Sequence, residues 1–463
     1  MTDLLKKHGR KTLKLALPVM MSQLGHIMVG VADSLMVGQL GKAPLAAASL
    51  ANSLFAVIMV FGIGTSFIMT PLIAQADGEK NIERIRIALV NGTWILLILG
   101  IALAILLQAG LPLMHYIGQP EEVVALAKPY LSIIGFSLIP LMFYQAQRQF
   151  VEGLSYTKEA MYISVGANIL NVIFNYILIF GKLGFPAMGL NGAGVSTLIS
   201  RIIMAVAIFM FIKNNHRFHS YTHQLNPFQW GAKVIGRILR LGFPMGMQFT
   251  FEVTTFSMAA IMMGWLGTVA LAAHQIAINL ASVSYMAATG ISSAATIRVG
   301  NQLGQKDYHT MREVSFTSYQ MALIFMGFCA LAFVVFRTQL AGLYIDNPEV
   351  IHLAAQLLIM AGLFQLSDGA QVIGLGSLRG ITDVKAPTII TLIAYWGLGL
   401  PIGYILGFRL EMGALGIWTG LLLGLTIAAI WLFYRFNKLS GRMLINSQKQ
   451  VSPMLKNSVD QNF

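Results

Sequence analysis

Long apolar runs separated by short polar turns dominate the chain. A helix of about 20 mostly apolar residues, rising about 1.5 Å per residue, crosses the hydrocarbon core of a bilayer. Twelve runs reach that length, at 12–37, 45–75, 88–110, 128–148, 159–181, 189–212, 239–265, 269–298, 313–336, 351–377, 386–408 and 413–434. Strand-like alternation is absent, which argues against a transmembrane β-barrel. No polar block is large enough to form a separate soluble domain. The pattern predicts an all-α integral membrane protein with twelve transmembrane helices.

The runs also repeat. When Pro18 is set on Pro244, "LALPVMM" lies on "LGFPMGM" and, in the same register, "VGQLGKAPLAAA" lies on "MGWLGTVALAAH". That register pairs Gly41 with Gly267 and Lys80 with Lys306, and one residue further on "EGLSYTK" lies on "RGITDVK". Six helices per half, an even number, place both halves in the same orientation. The expectation is two parallel, pseudo-symmetric six-helix lobes, an arrangement found in many secondary transporters. They should divide as an N-terminal lobe at 1–212, an inter-lobe linker at 213–238, a C-terminal lobe at 239–437 and a polar tail at 438–463. The linker carries His216, His219 and His223. With no further ligands nearby, they read as part of a solvated loop and not as a metal site.

Composition agrees with the pattern: 56% of residues are hydrophobic and 11% charged, against roughly 25% charged in soluble domains. The formal net charge of +13 invites a nucleic-acid reading, which its placement removes. With a cytoplasmic N-terminus, the segments on the inside carry 25 Lys and Arg residues and those on the outside carry five (Lys42, Lys128, Lys182, Arg337 and Arg409). This positive-inside bias puts both termini in the cytoplasm. Basic residues clustered on one binding face are what nucleic-acid recognition requires. The first apolar run has no small-residue cleavage site after a short apolar core, so it reads as an uncleaved first helix. The single cysteine, Cys329, excludes an intramolecular disulfide and a cysteine metal cluster.

Against this apolar background three carboxylates lie well inside helices: Asp33 in "VADSLMVG", Glu252 in "MQFTFEVTTF" and Asp368 in "GLFQLSDGAQ". An ionisable group at such depth marks an ion or substrate site by default, because burying it is costly. At 1.5 Å per residue Glu252 lies roughly 18 Å from Arg240 and Asp368 roughly 16 Å from Arg379, both deep, whereas Asp33 lies roughly 28 Å from Lys14, in the outer half. Asn168, Asn171 and Asn175 share one helix face, which either accepts Asp33 and lines a wet cavity or joins helices in lipid. Arg201, the one deep cation, either pairs with Asp33 or ties helices together. His26 and His274 read as hydrogen-bonded core histidines. No nucleotide, zinc or CxxC motif is present. With no nucleotide motif, the carboxylates point to ion-coupled transport: an acid that binds H+ or Na+ couples an ion gradient to a cargo.

Taken together, "LALPVMMSQL", "VADSLMVGQLG", "LAAHQIA" and "GLSYTKEAMY" resemble the multidrug and toxic compound extrusion (MATE) family, NorM-type branch, over residues 10–437. The resemblance implies the MATE fold and a monomeric antiporter of the bacterial inner membrane. It would export lipophilic, often cationic compounds, with Na+ or H+ entry driving alternating access, Na+ slightly favoured, and with no cofactor. By position, Glu252 and Asp368 correspond to cation-site carboxylates and Tyr285 to the aromatic beside that cation. Asp33 with Asn171 and Asn175 corresponds to the acid of the other lobe and its amides. Ser53, Gln275, Asp346 and Asn347 correspond to drug-contacting positions. There are two departures. Phe364 stands one turn before Asp368 where some relatives carry a tyrosine, and Asp346-Asn347 carries one charge fewer than a two-acid loop. One alternative is a flippase for polar-headed or lipid-linked substrates, which calls for a strongly cationic cavity where only Arg201 is deep. Another is a membrane-embedded enzyme, which calls for a metal or nucleophile constellation that is missing.

Overall fold

Backbone N–H and C=O groups find no water in hydrocarbon, so a spanning segment must satisfy them internally. The computed structural model, which describes residues 2–223, 226 and 229–459, is accordingly all helical, with no strand among the described residues. Met1, residues 224, 225, 227 and 228 of the expected linker and residues 460–463 of the expected tail lie outside the described residues. Among the described residues, eleven rods are long and apolar enough to cross a membrane: α1 (Leu5–Gly38), α2 (Lys42–Gly78), α3 (Ile82–Tyr116), α4 (Glu121–Gly153), α5 (Thr157–Phe180), α6 (Gly189–Asn214), α8 (Thr268–Gly304), α9 (Tyr308–Val335), α10 (Pro348–Gly380), α11 (Lys385–Arg409) and α12 (Gly413–Lys449). A twelfth rod, α7 (Ala232–Trp265), is as long but carries Gln248, Thr250, Glu252, Thr254 and Thr255 in its interior. The tail continues α12 as one helix, Gly413–Val459.

The sequence repeat is written into the backbone. Gly41 and Gly267 precede α2 and α8 with φ of 119° and 114°, and Lys80 and Lys306 both adopt a left-handed turn, at φ 54° and 61°. The next residue caps the following helix in each case: Asn81 accepts from the Arg84 N–H and Asp307 from the Thr310 N–H. Ser155 and Thr382, one residue further out of register, make a second such pair, at φ 70° and 58°.

The chain forms two compact units, Pro18–Thr254 and Met1–Leu17 with Thr255–Phe463. In the first, α4 is central and packs against α2, α3 and α6. The polar connection after α6 folds onto this unit through Phe218, which is fully buried against Phe150, Tyr156 and Phe211. Burying such a ring contributes roughly 1.5–3 kcal/mol, enough to anchor the segment while His216, His219 and His223 stay exposed. The expected solvated loop is therefore a folded strap with solvated histidines.

In the second unit α10 is central, packed against α8, α9 and α12. The N-terminal residues join this unit through a polar clamp. Glu313 accepts from Lys7 at 2.7 Å and bonds His8 Nε2 at 3.0 Å, and Arg298 donates to the His8 carbonyl at 3.0 Å and to Thr12. Helices α11 and α12 approach through two glycine rows at four-residue spacing, Gly399-Gly403-Gly407 and Gly416-Gly420-Gly424. A Cβ placed on Gly420 would lie 2.4 Å from the Gly403 Cα, and one on Gly416 2.6 Å from the Gly407 nitrogen. Small residues let backbones come this close where dispersion, and not the hydrophobic effect, holds helices together. Ahead of Pro401, which has no N–H to give the ladder, α11 is wound as a π-helix over Ile393–Gly399, an adjustment common at such interruptions. Gly420→Ala should cost about 1–3 kcal/mol through overpacking. A melting temperature in detergent clearly below wild type is the expected result, and no change would mean that the two helices separate freely.

Candidate functional site

Asp33 is half-buried on α1, and α5 supplies its partner. The fully buried Asn175 donates from Nδ2 to Asp33 Oδ1 and also contacts Asn171 Oδ1 at 3.3 Å. Where the two helices meet, position 25 is a glycine, and a Cβ there would lie 3.0 Å from the side-chain nitrogen Nδ2 of Asn168. A buried Ser22–Ser164 hydrogen bond of 3.0 Å stitches the same pair. The asparagine face thus meets Asp33 and joins two helices at once. Interhelical hydrogen bonds in membranes are worth only about 0.6 kcal/mol on average. The cluster therefore orients the carboxylate more than it stabilises the fold.

Arg201 does not pair with Asp33; among the described residues its partners lie elsewhere. It donates to Ser137 Oγ at 2.6 Å, meets Met59 Sδ at 3.6 Å and sits over the Phe55 ring at 5.1 Å. Ser137 is the residue at which α4 is interrupted, between Phe136 and Leu138. The cation thus braces a break in the central helix. Its guanidinium is held by a hydroxyl, a thioether and an aromatic face.

Reading the sequence missed a second buried charge, the pair Arg148–Glu152 at 2.6 Å with both side chains buried. The signal was present in "YQAQRQFVEG", where acid and base stand four residues apart on one helix face. Around it Gln147 donates to Thr93 at 2.9 Å and Thr70 bonds Gln149. Removing one partner of such a pair strands the other charge, at about 3–5 kcal/mol.

In the second unit Asp368 is 2% exposed in the middle of α10. Tyr285 of α8 is half-buried and packs against Ala288, Met326 and Val372. Phe364, one turn before Asp368, stacks edge-on with Phe256 and lies 5.9 Å from Trp418, an apolar setting. Glu252 is buried on α7 in the first unit, one turn after the buried Gln248. His274 is a core histidine, as expected: the Trp418 indole N–H donates to its Nδ1 at 3.2 Å, which places the imidazole proton on Nε2. His26 is exposed on α1.

All four positions expected to contact cargo are exposed, and three of them are lightly held. Ser53 bonds its own helix at the Ser49 carbonyl, Gln275 donates to Asn279 at 3.0 Å, and Asp346 is exposed. Asn347 is committed elsewhere. Its Oδ1 accepts from the Glu349 and Val350 N–H groups at 3.0 and 3.2 Å and so caps α10.

Comparison with known proteins finds relatives over nearly the whole chain. A family model described as MatE matches residues 18–177 and 244–405. The chain is 35% identical over 444 residues to "Probable multidrug resistance protein NorM" of Rhizobium meliloti (strain 1021), covering 94% of each chain. It is also 35% identical to "Multidrug resistance protein MdtK" of Photorhabdus laumondii subsp. laumondii, covering 93% of this chain and 95% of that protein. Among solved structures, an outward-facing multidrug resistance MATE family transporter of the MOP superfamily superposes with a TM-score of 0.86 at 21% identity. That match covers 95% of this chain and 98% of the other.

The two buried polar sites should respond differently to truncation. Arg148→Ala should cost about 3–5 kcal/mol and sharply reduce the folded fraction recovered from membranes. Asn175→Ala should cost no more than about 1.7 kcal/mol and leave a folded protein, as read by melting in detergent. Equal losses would assign the Asp33 cluster a structural role.

Proposed function

The chain belongs to the MatE family, and we propose that it is a cation-coupled multidrug efflux antiporter of the bacterial inner membrane. It exports lipophilic, often cationic compounds by alternating access, acts as a monomer and keeps both termini in the cytoplasm. The family consists of transporters, not enzymes, which removes the membrane-embedded enzyme as an alternative. The observation that carries the reading is the set of three carboxylates, Asp33, Glu252 and Asp368, held inside long helices of an integral membrane protein.

A carboxylate at that depth is expensive when charged and cheaper when a cation neutralises it. Binding of H+ or Na+ therefore changes the relative stability of the protein's conformations. An ion shifts that equilibrium by as much as its affinities for the two states differ. In this reading Glu252, Asp368 and Tyr285 are cation-binding residues of their respective units, and Na+ is favoured over H+ as the coupling ion. Asp33, oriented by Asn171 and Asn175, is the ion- or cargo-linked acid of the other half. Ser53, Gln275, Asp346 and Asn347 contact the cargo. The arrangement around Arg201 supports a drug exporter over a lipid flippase, because that cation is held by Ser137, Met59 and Phe55.

Glu252→Gln and Asp368→Asn each keep the side-chain shape and remove the charge. In cells carrying equal amounts of membrane-inserted protein, dye efflux should fall about tenfold or more in each, the scale of a lost coupling free energy. Wild-type efflux in both variants would remove these acids from the mechanism.

A further inference from the structure

Helix α10 is the most enclosed helix of its unit, and its polar side chains divide into two groups. Those that face neighbouring helices are paired: Ser367 with Thr426 at 2.8 Å and Ser377 with Ser315 at 2.7 Å. The helix also accepts at its backbone, from Ser292 to the Val372 carbonyl at 2.7 Å and from Thr296 to the Gly376 carbonyl at 2.8 Å. Gln365 and Gln371 differ. Both are 0% exposed, and neither the oxygen nor the nitrogen of either amide has a hydrogen-bond partner among the described residues.

These two amides stand three residues before and three residues after Asp368, which places all three side chains on one sector of the helix. A buried amide with neither end satisfied is strongly disfavoured. Two of them bracketing a buried acid call for a ligand. A proton needs one carboxylate oxygen and nothing more. A dehydrated alkali cation needs several oxygens, as hard cations in general do. Phe364, the residue one turn before the acid, supplies none. Amide oxygens at 365 and 371 do.

We propose that Gln365 and Gln371 coordinate Na+ together with Asp368, completing an oxygen-lined site inside the second unit. The proposal rests on Asp368 being an ion-site carboxylate. It makes Na+, and not H+, the ion bound there. The amide nitrogens are left to point away from the cation, toward water or the carboxylate.

The test measures dye efflux from proteoliposomes against Na+ concentration for wild type, Gln365→Met, Gln371→Met and Asp368→Asn. Methionine keeps the length of the side chain and removes its amide. Half-maximal Na+ should rise about tenfold to a hundredfold in each methionine variant, the range seen when groups supporting a bound metal are lost. Gln371→Glu, which keeps an oxygen at that position, should show no such rise. If a methionine variant transports too little to measure, the Na+-induced rise in melting temperature of the purified protein in detergent, with choline chloride as control, takes its place. That rise should be lost at Na+ concentrations that stabilise wild type. Unchanged Na+ dependence in both methionine variants with Asp368→Asn inactive would overturn the amide ligands and leave the acid in place. Wild-type, Na+-dependent efflux by Asp368→Asn would overturn the reading of the acid and the proposal with it.

Discussion

Placing a charge in hydrocarbon costs several kcal/mol unless a partner, water or a bound ion compensates it, and the polar architecture of this protein follows from that cost. Each buried charged group whose partners are seen has its own solution. Arg148 and Glu152 neutralise one another within one turn of α4. Arg201 is held by a hydroxyl at a helix break and by an aromatic face. Asp33 takes a single amide donor from α5, too little to compensate a full charge. Tightly paired charges build the fold, and a thinly compensated carboxylate is what the proposed cation coupling calls for.

Keeping such a carboxylate in a defined position requires rigid surroundings. Beside Asp33, the Asn175 amide and the Ser22–Ser164 hydrogen bond tie α5 to α1. The glycine rows of α11 and α12 bring two backbones into contact on one side of α10, while α8 and α9 also pack against it. Asp368 thus sits on a helix enclosed by three others. With few exposed faces, α10 holds the Asp368 side chain in a fixed setting.

The spans were legible because hydrocarbon thickness imposes one length on every apolar run, and the repeat was legible in the positions it pairs, Lys80 with Lys306 among them, although their left-handed turns were not. The pairing of Asp33 with the asparagine face could be read because one helix periodicity aligned Asn171 and Asn175. Other features depend on tertiary structure. Gly403 and Gly420 lie on different helices, and only packing reveals that they touch. Arg148 lies at the end of an apolar run, where composition does not separate a buried charge from an interfacial one. The α4 break at Ser137 and the π-helical turns of α11 leave little trace in hydropathy. The division between units falls at Thr254, inside the continuous helix α7, where hydropathy shows no boundary.

The central claim is that an ion gradient drives export through these buried acids, and reconstitution tests it most directly. Purified protein in proteoliposomes should move a cationic dye when a Na+ gradient opposed to the dye is imposed at equal pH on both sides. Transport that ignores the Na+ gradient and follows an imposed pH gradient alone would contradict the assignment of Na+. Dye movement indifferent to both gradients would contradict ion coupling altogether.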